Sequence, residues 1–267
     1  MMPALNNASQ RDQSEELVVY EQPLGERMRI FLRLDFLHRQ ALHHLEGASD
    51  LSTRAAVHSL LDIMTILNRG DVRGEVLKEL ERQITGLNAW RSRQGVDSAR
   101  LSTLLANIAS LRDALRSAGP QFLQPLRESE FLNAIKHRSA IPGGTCVFDL
   151  PEYFHWLNRP AQERRRDFQV WMSRLRPLTE AVAELLWLTR EAARPREEIA
   201  PHGMFQLNLS NSDTANLLRV ALPASETVYP EISGSHHRFT VRFMSWSDAL
   251  ERPVYCTADT RFLLSCC

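Results

Sequence analysis

The period of the hydrophobic pattern changes along this chain, and that change restricts the folds open to it. From about Glu26 to Leu115, apolar residues recur every three or four positions. After Pro195 they fall in short extended runs separated by Pro, Gly, Ser and Asn. The first rhythm belongs to amphipathic helices and the second to strands. Helices followed by strands, with one late helix between two β-like stretches, predict an α+β fold: an antiparallel helical domain plus a β-rich domain.

The helical stretch carries its own punctuation. A first helix is expected from about Glu26 to Leu45, with Ile30, Leu34, Leu37, Ala41 and Leu45 on one stripe and Phe31, Leu32 and Phe36 off it. A helix apolar on more than one side has more than one surface to bury, which here suggests a bundle plus a subunit contact. Val57, Leu60, Leu61, Met64 and Leu67 mark a second helix that stops at Gly70. Asp71 caps a third, carrying Val76, Leu77, Leu80, Ile84 and Leu87. Asp97 caps a fourth, which Gly119-Pro120 ends. Short links between such helices favour antiparallel packing.

"IPGGTCVFDLPEYFHWL" (141–157) reads as a turn with short β-like runs. A further helix is expected over about 160–193, kinked or restarted at Pro177. Beyond it "MFQLNL", "NLLRVAL", "HHRFTVRFM" and "TRFLLSCC" read as strands. The expected division is a polar tail over 1–17, a helical domain from 18–130 and 160–193, and a β-rich domain from 131–159 and 194–267. Both domains are then discontinuous, and 267 residues suit two modest domains or one large one.

Little in the sequence favours catalysis. There is no G-x-S-x-G elbow, no H-E-x-x-H pair and no glycine-rich phosphate loop. Cys146 follows "PGGT" and is expected to be a small core thiol. Cys256, Cys266 and His236 lack the spacing of a zinc site. Four scattered cysteines fit a cytoplasmic protein with free thiols, and no apolar run approaches the roughly 18 residues that span a bilayer. With 32 basic and 32 acidic side chains the chain is formally neutral, which argues against a globally basic nucleic-acid binder.

Arginine is the residue with something left to explain. In "HHRFTVRFM" Phe239, Val241 and Phe243 fall on one strand face, and Arg238, Thr240 and Arg242 on the other, with His236 in line. Arg33 borders the first helical stripe, and Arg69 and Arg73 flank the break at Gly70. Arg164, Arg165 and Arg166 open the late helix, where a solvated face is the expectation. Taken singly, such residues form surface ion pairs worth about 0–1 kcal/mol. Converging on one recess, they would form a carboxylate-binding site.

The segments "YEQPLGERMRIFLRLDFL", "NRGDVRGEVLKELERQ", "IPGGTCVFDLP", "PLTEA", "YPEISGSHHRFTVRFM" and the closing "CC" resemble, in order, the ZapD family of bacterial cell-division proteins associated with FtsZ. The resemblance implies a non-enzymatic homodimer without cofactor. It implies binding to the C-terminal tail of FtsZ and bundling of filaments at the midcell division ring, with no membrane or nucleic-acid partner. The family's basic pocket corresponds here to Arg33, Arg69, Arg238 and Arg242, with His155 displaced by one position from the family's histidine. Glu130 stands where the family can carry an arginine. The expected site is therefore Arg33, Arg69, Arg73, Arg238, Arg242 and His155, in a groove gripping an acidic tail. The competing expectation is a nucleic-acid-binding regulator that uses the same arginines.

Overall fold

The computed structural model describes residues 16–91, 93–209 and 215–267; the expected polar tail lies, through residue 15, outside them. The fold is α+β and forms two compact units. One runs continuously over Glu26–Arg190. The other joins the chain up to Gly25 to Glu191–Cys267. Only the β-rich unit is therefore discontinuous.

The continuous unit is helical: α1 (Glu26–Glu46), α2 (Asp50–Leu67), α3 (Val72–Asn88), α4 (Ser98–Ser117), α5 (Gln124–Arg127), α6 (Glu130–Ser139), α7 (Pro151–Leu157) and α8 (Ala161–Glu191). The caps act as the sequence suggested. The Asp71 carboxylate accepts from Gly74 N at 2.9 Å, and Asp97 accepts from Ala99 N and Arg100 N at 3.0 Å. The α2 stripe of Val57, Leu60, Leu61, Met64 and Leu67 is buried throughout.

In α1 the buried stripe is turned from the expected one. Met28, Phe31, Leu34 and Ala41 go inside, while Ile30 and Leu37 are half-buried. Both stripes have helical spacing, and the large Phe31 ring takes the interior position. Residues 131–159 are not β-rich. They hold α6, capped by Ser129, then successive turns, then α7 opening on Pro151. Proline at the first helical position forfeits no intrahelical bond. The late helix runs through Pro177 as one element.

Arginines fasten the helix ends. Arg164, expected on a solvated face, is buried. It donates to the carbonyls of Leu157, Arg159 (3.0 Å) and Ala48 (2.6 Å). Arg165 reaches Leu45 O and Glu46 O at the end of α1. Arg127 closes the end of α2 through Leu67 O and Asn68 Oδ1. Arg73 closes the end of α4, donating to Leu115 O at 3.2 Å and Arg116 O at 3.3 Å. A cation there meets the negative end of the helix dipole and its unpaired carbonyls.

One buried carboxylate, Glu79 on α3, ties α1 to α3. It accepts from Arg82 and Gln83 and pairs with Arg27 at 3.3 Å. Burial is the largest single influence and opposes its ionisation. The hydrogen bonds from Arg82 and Gln83 and the charges of Arg82 and Arg27 together outweigh it, and hold the carboxyl below its ordinary range.

The other unit is two antiparallel sheets. β1 (Leu17–Pro23), β4 (Leu217–Pro223), β8 (Thr260–Cys266) and β2 (Arg196–Ala200) form one, in the order β1-β4-β8-β2. In the second, β6 (Arg238–Ser245) lies between β3 (Met204–Asn208) and β5 (Val228–Gly234) and also pairs with β7 (Val254–Tyr255). The stretch from residue 18 thus belongs to a sheet, not to the helical domain. Phe239, Val241 and Phe243 of β6 share a core with Leu218, Val220 and Leu222 of β4 and with Phe262 and Leu264 of β8. The Phe243 and Phe262 rings lie 5.2 Å apart.

Phe243→Ala is expected to cost about 3–5 kcal/mol in denaturant unfolding, while Arg242→Ala beside it costs under about 0.5 kcal/mol. Equal losses would contradict the assigned faces. The folded-state pKa of Glu79 lies below its unfolded value, so its contribution is present above the unfolded pKa and lost as pH falls through the folded one. Glu79→Gln should therefore be less stable than the parent near neutral pH, with the gap closing in acid. A gap that widens in acid would contradict the network.

Candidate functional site

The 3-4 spacing along α1 places Glu26, Ile30 and Arg33 on one side of the helix. They line a cleft of about 350 Å³ whose opposite wall is the corner between α2 and α3: Ile66, Arg69, Gly70, Asp71 and Val72. Two arginines 36 positions apart in the sequence thus share one recess with apolar side chains beside them. Both are exposed.

Not every charge in this cleft is available. Arg27 is held by Glu79, Glu26 by Arg29 at 2.7 Å, and Glu75 by Lys78 at 3.0 Å. Asp71 is occupied in capping α3. Arg33 and Arg69 form no ion pair with any described residue. The carboxylates present are engaged with other groups, and two guanidinium forks remain open to a ligand.

In the β-rich unit, Arg238 and Arg242 are exposed on the face of β6 opposite its buried phenylalanines. Residues directly across a ladder share a face. Asn208 stands opposite Arg238, while Met204 and Glu231 flank Arg242. Arg238 Nη2 donates to Gln206 Oε1 at 3.3 Å. Neither arginine forms an ion pair with a described residue. Four residues of strand separate them by about 13 Å, the reach of a short extended peptide. His236 precedes the strand and belongs to the turn before it, with Nδ1 3.0 Å from Ala215 O.

The remaining expected site residues stand elsewhere. Arg73 is turned to the carbonyls of α4 and is absent from the cleft lining, and His155 is exposed on α7, also outside that lining. Sequence reasoning missed Ile30 and Ile66 as cleft walls; the 3-4 spacing from Glu26 through Ile30 to Arg33 is the signal that would have found the first. Cys146 is half-buried and its thiol donates to Asp149 at 3.3 Å. Among the described residues no three metal-ligating side chains cluster, and no helix is long and apolar enough to cross a membrane.

A family model described as "ZapD: Cell division protein" matches residues 32–242, a span that includes all six expected site residues. "Cell division protein ZapD" of Methylococcus capsulatus is 42% identical over 250 residues, covering 94% of this chain and 98% of the relative. The protein of the same name in Vibrio atlanticus is 39% identical over 249 residues (93% and 98%), and that of Azoarcus sp. 36% over 251 (94% and 99%). With its two units, its ordered motifs and this agreement along nearly the whole length, the chain belongs to the ZapD family of cell-division proteins.

Proposed function

We propose that this chain binds the C-terminal tail of FtsZ, and that as a homodimer it crosslinks FtsZ filaments in the cytoplasm at the midcell ring. Two surfaces offer such a tail guanidinium contacts, each within its own unit: the Arg33/Arg69 cleft and the Arg238/Arg242 strand face. The observation that carries this reading is the availability of these four guanidinium groups in a protein that commits many others to carbonyls and carboxylates.

The chemistry follows from the surfaces. A tail carboxylate replaces water on Arg33 or Arg69 with charge-assisted hydrogen bonds, worth about 1.5–3 kcal/mol each when shielded. Ile30 and Ile66 receive apolar tail side chains beside those contacts. On β6 an extended segment meets Arg238 and Arg242 about four residues apart. Ordering a flexible tail offsets much of this gain, so a single site is of modest affinity. Two sites on one dimer, facing filaments that display many tails, restore the strength by avidity. The chain acts by holding, with no catalytic step.

Reversing both Arg238 and Arg242 to Glu should abolish binding of a tail peptide in titration calorimetry while leaving the melting curve in place. Affinity of the parent should fall as salt is added, since the contacts are charged and partly exposed. Unchanged affinity in the double variant contradicts the strand-face contact, and salt-independent binding contradicts an ionic grip. A variant forced to be monomeric should still bind the peptide yet fail to bundle filaments in sedimentation; bundling by the monomer would contradict bivalent crosslinking.

A further inference from the structure

We propose that a second cleft in the helical unit binds a small organic anion, a carboxylate or phosphate monoester carrying a compact apolar or aromatic group. This cleft, about 320 Å³, shares no lining residue with the Arg33/Arg69 recess. It lies among α1, α2, the end of α6, the turn after α6, and the first turn of α7. Its volume is at the lower end of small-molecule sites.

Three observations fix the class of ligand. First, among the described residues Arg54 supplies the one permanent charge in the lining, and no carboxylate lines the cleft. The acid-rich Arg33/Arg69 cleft differs in this respect. Second, Arg54 is held ready. Its Nη1 donates to Thr145 O at 2.9 Å, and its guanidinium carbon lies 5.0 Å from the centroid of the Tyr153 ring. The fork keeps further N–H groups, and Arg54 forms no ion pair with a described residue. Third, Tyr153 lines the cleft with its ring buried, while its hydroxyl bonds to no described residue and still reaches solvent, so it is open to a partner entering the cleft. Burial, with the charge of Asp50 adding to it and that of Arg54 opposing it, pushes its pKa up to about 12, so near neutral pH it is a neutral phenol that can donate.

The rest of the lining suits the remainder of such a molecule. Val57, Leu61 and Ile135 offer an apolar wall, and Gln40 offers an amide at the side. His58 stands at the rim, 3.7 Å from Asp62. An anionic head on Arg54 and Tyr153, with its body against the aliphatic wall, matches the polarity of these lining groups.

The test is saturation-transfer NMR on the full chain with phenyl phosphate and benzoate as probes. Transfer to at least one probe is expected. Arg54→Gln should weaken its binding about ten-fold, as loss of a charged hydrogen bond implies. Tyr153→Phe, which removes a single oxygen, should weaken it several-fold with the melting curve kept. Arg33→Glu should leave it unchanged, which separates this site from the tail-binding reading. Absence of transfer from both probes at about 10 mM overturns the proposal. So does parental affinity in Tyr153→Phe, which decides the matter if Arg54→Gln fails to fold.

Discussion

Guanidinium forks bound to main-chain carbonyls at helix ends are the interaction on which the helical unit depends. Arg165 closes the end of α1, Arg127 that of α2, Arg73 that of α4, and Arg164 that of α7, with a further bond from Arg164 to Ala48 O in the link between α1 and α2. Each helix C-terminus leaves four carbonyls without an intrahelical partner. A planar donor with five N–H groups satisfies two of them at once and links them to another helix. Lysine, present only at positions 78 and 136, is a point donor and less suited to that task.

This use of arginine sorts the side chains engaged within the fold from those left open to a partner. Arg69 and Arg73 are four positions apart across the same helix break. One lines an open cleft, and the other is bound to the carbonyls of a neighbouring helix. Arg27 and Arg33 both line that cleft, yet Arg27 is tied to Glu79. The same logic holds in the sheets, where burial of Phe239, Val241 and Phe243 turns Arg238 and Arg242 outward on the other face of β6. Availability, and not position in sequence, separates an open arginine from a fastening one.

Much of the fold was legible because short-range physics dictates it. Asp71 and Asp97 announced helix starts, the α2 stripe announced its buried face, and the alternation in β6 announced its two sides. The side of α1 was ambiguous because two stripes of helical spacing overlap at Leu34 and Ala41. β2 escaped because "REEIA" has no apolar alternation and is held by its ladder with β8 at the sheet edge; β5 escaped because it contains Pro230, which an edge strand tolerates. Of the site, the candidate arginines were visible and their partners were not. Arg164, read as solvated, and Arg73, read as binding, both face carbonyls contributed by distant parts of the chain. No local pattern encodes such a contact.

The sorting of arginines into fasteners and free cations is tested most directly by measuring FtsZ-tail affinity in Arg33→Ala and Arg73→Ala side by side, with a melting curve for each. The account predicts that Arg33→Ala weakens binding about ten-fold at unchanged stability, whereas Arg73→Ala melts earlier and binds the tail as the parent does. An Arg73→Ala variant that folds normally but loses the tail, beside an Arg33→Ala variant that keeps it, would contradict the account.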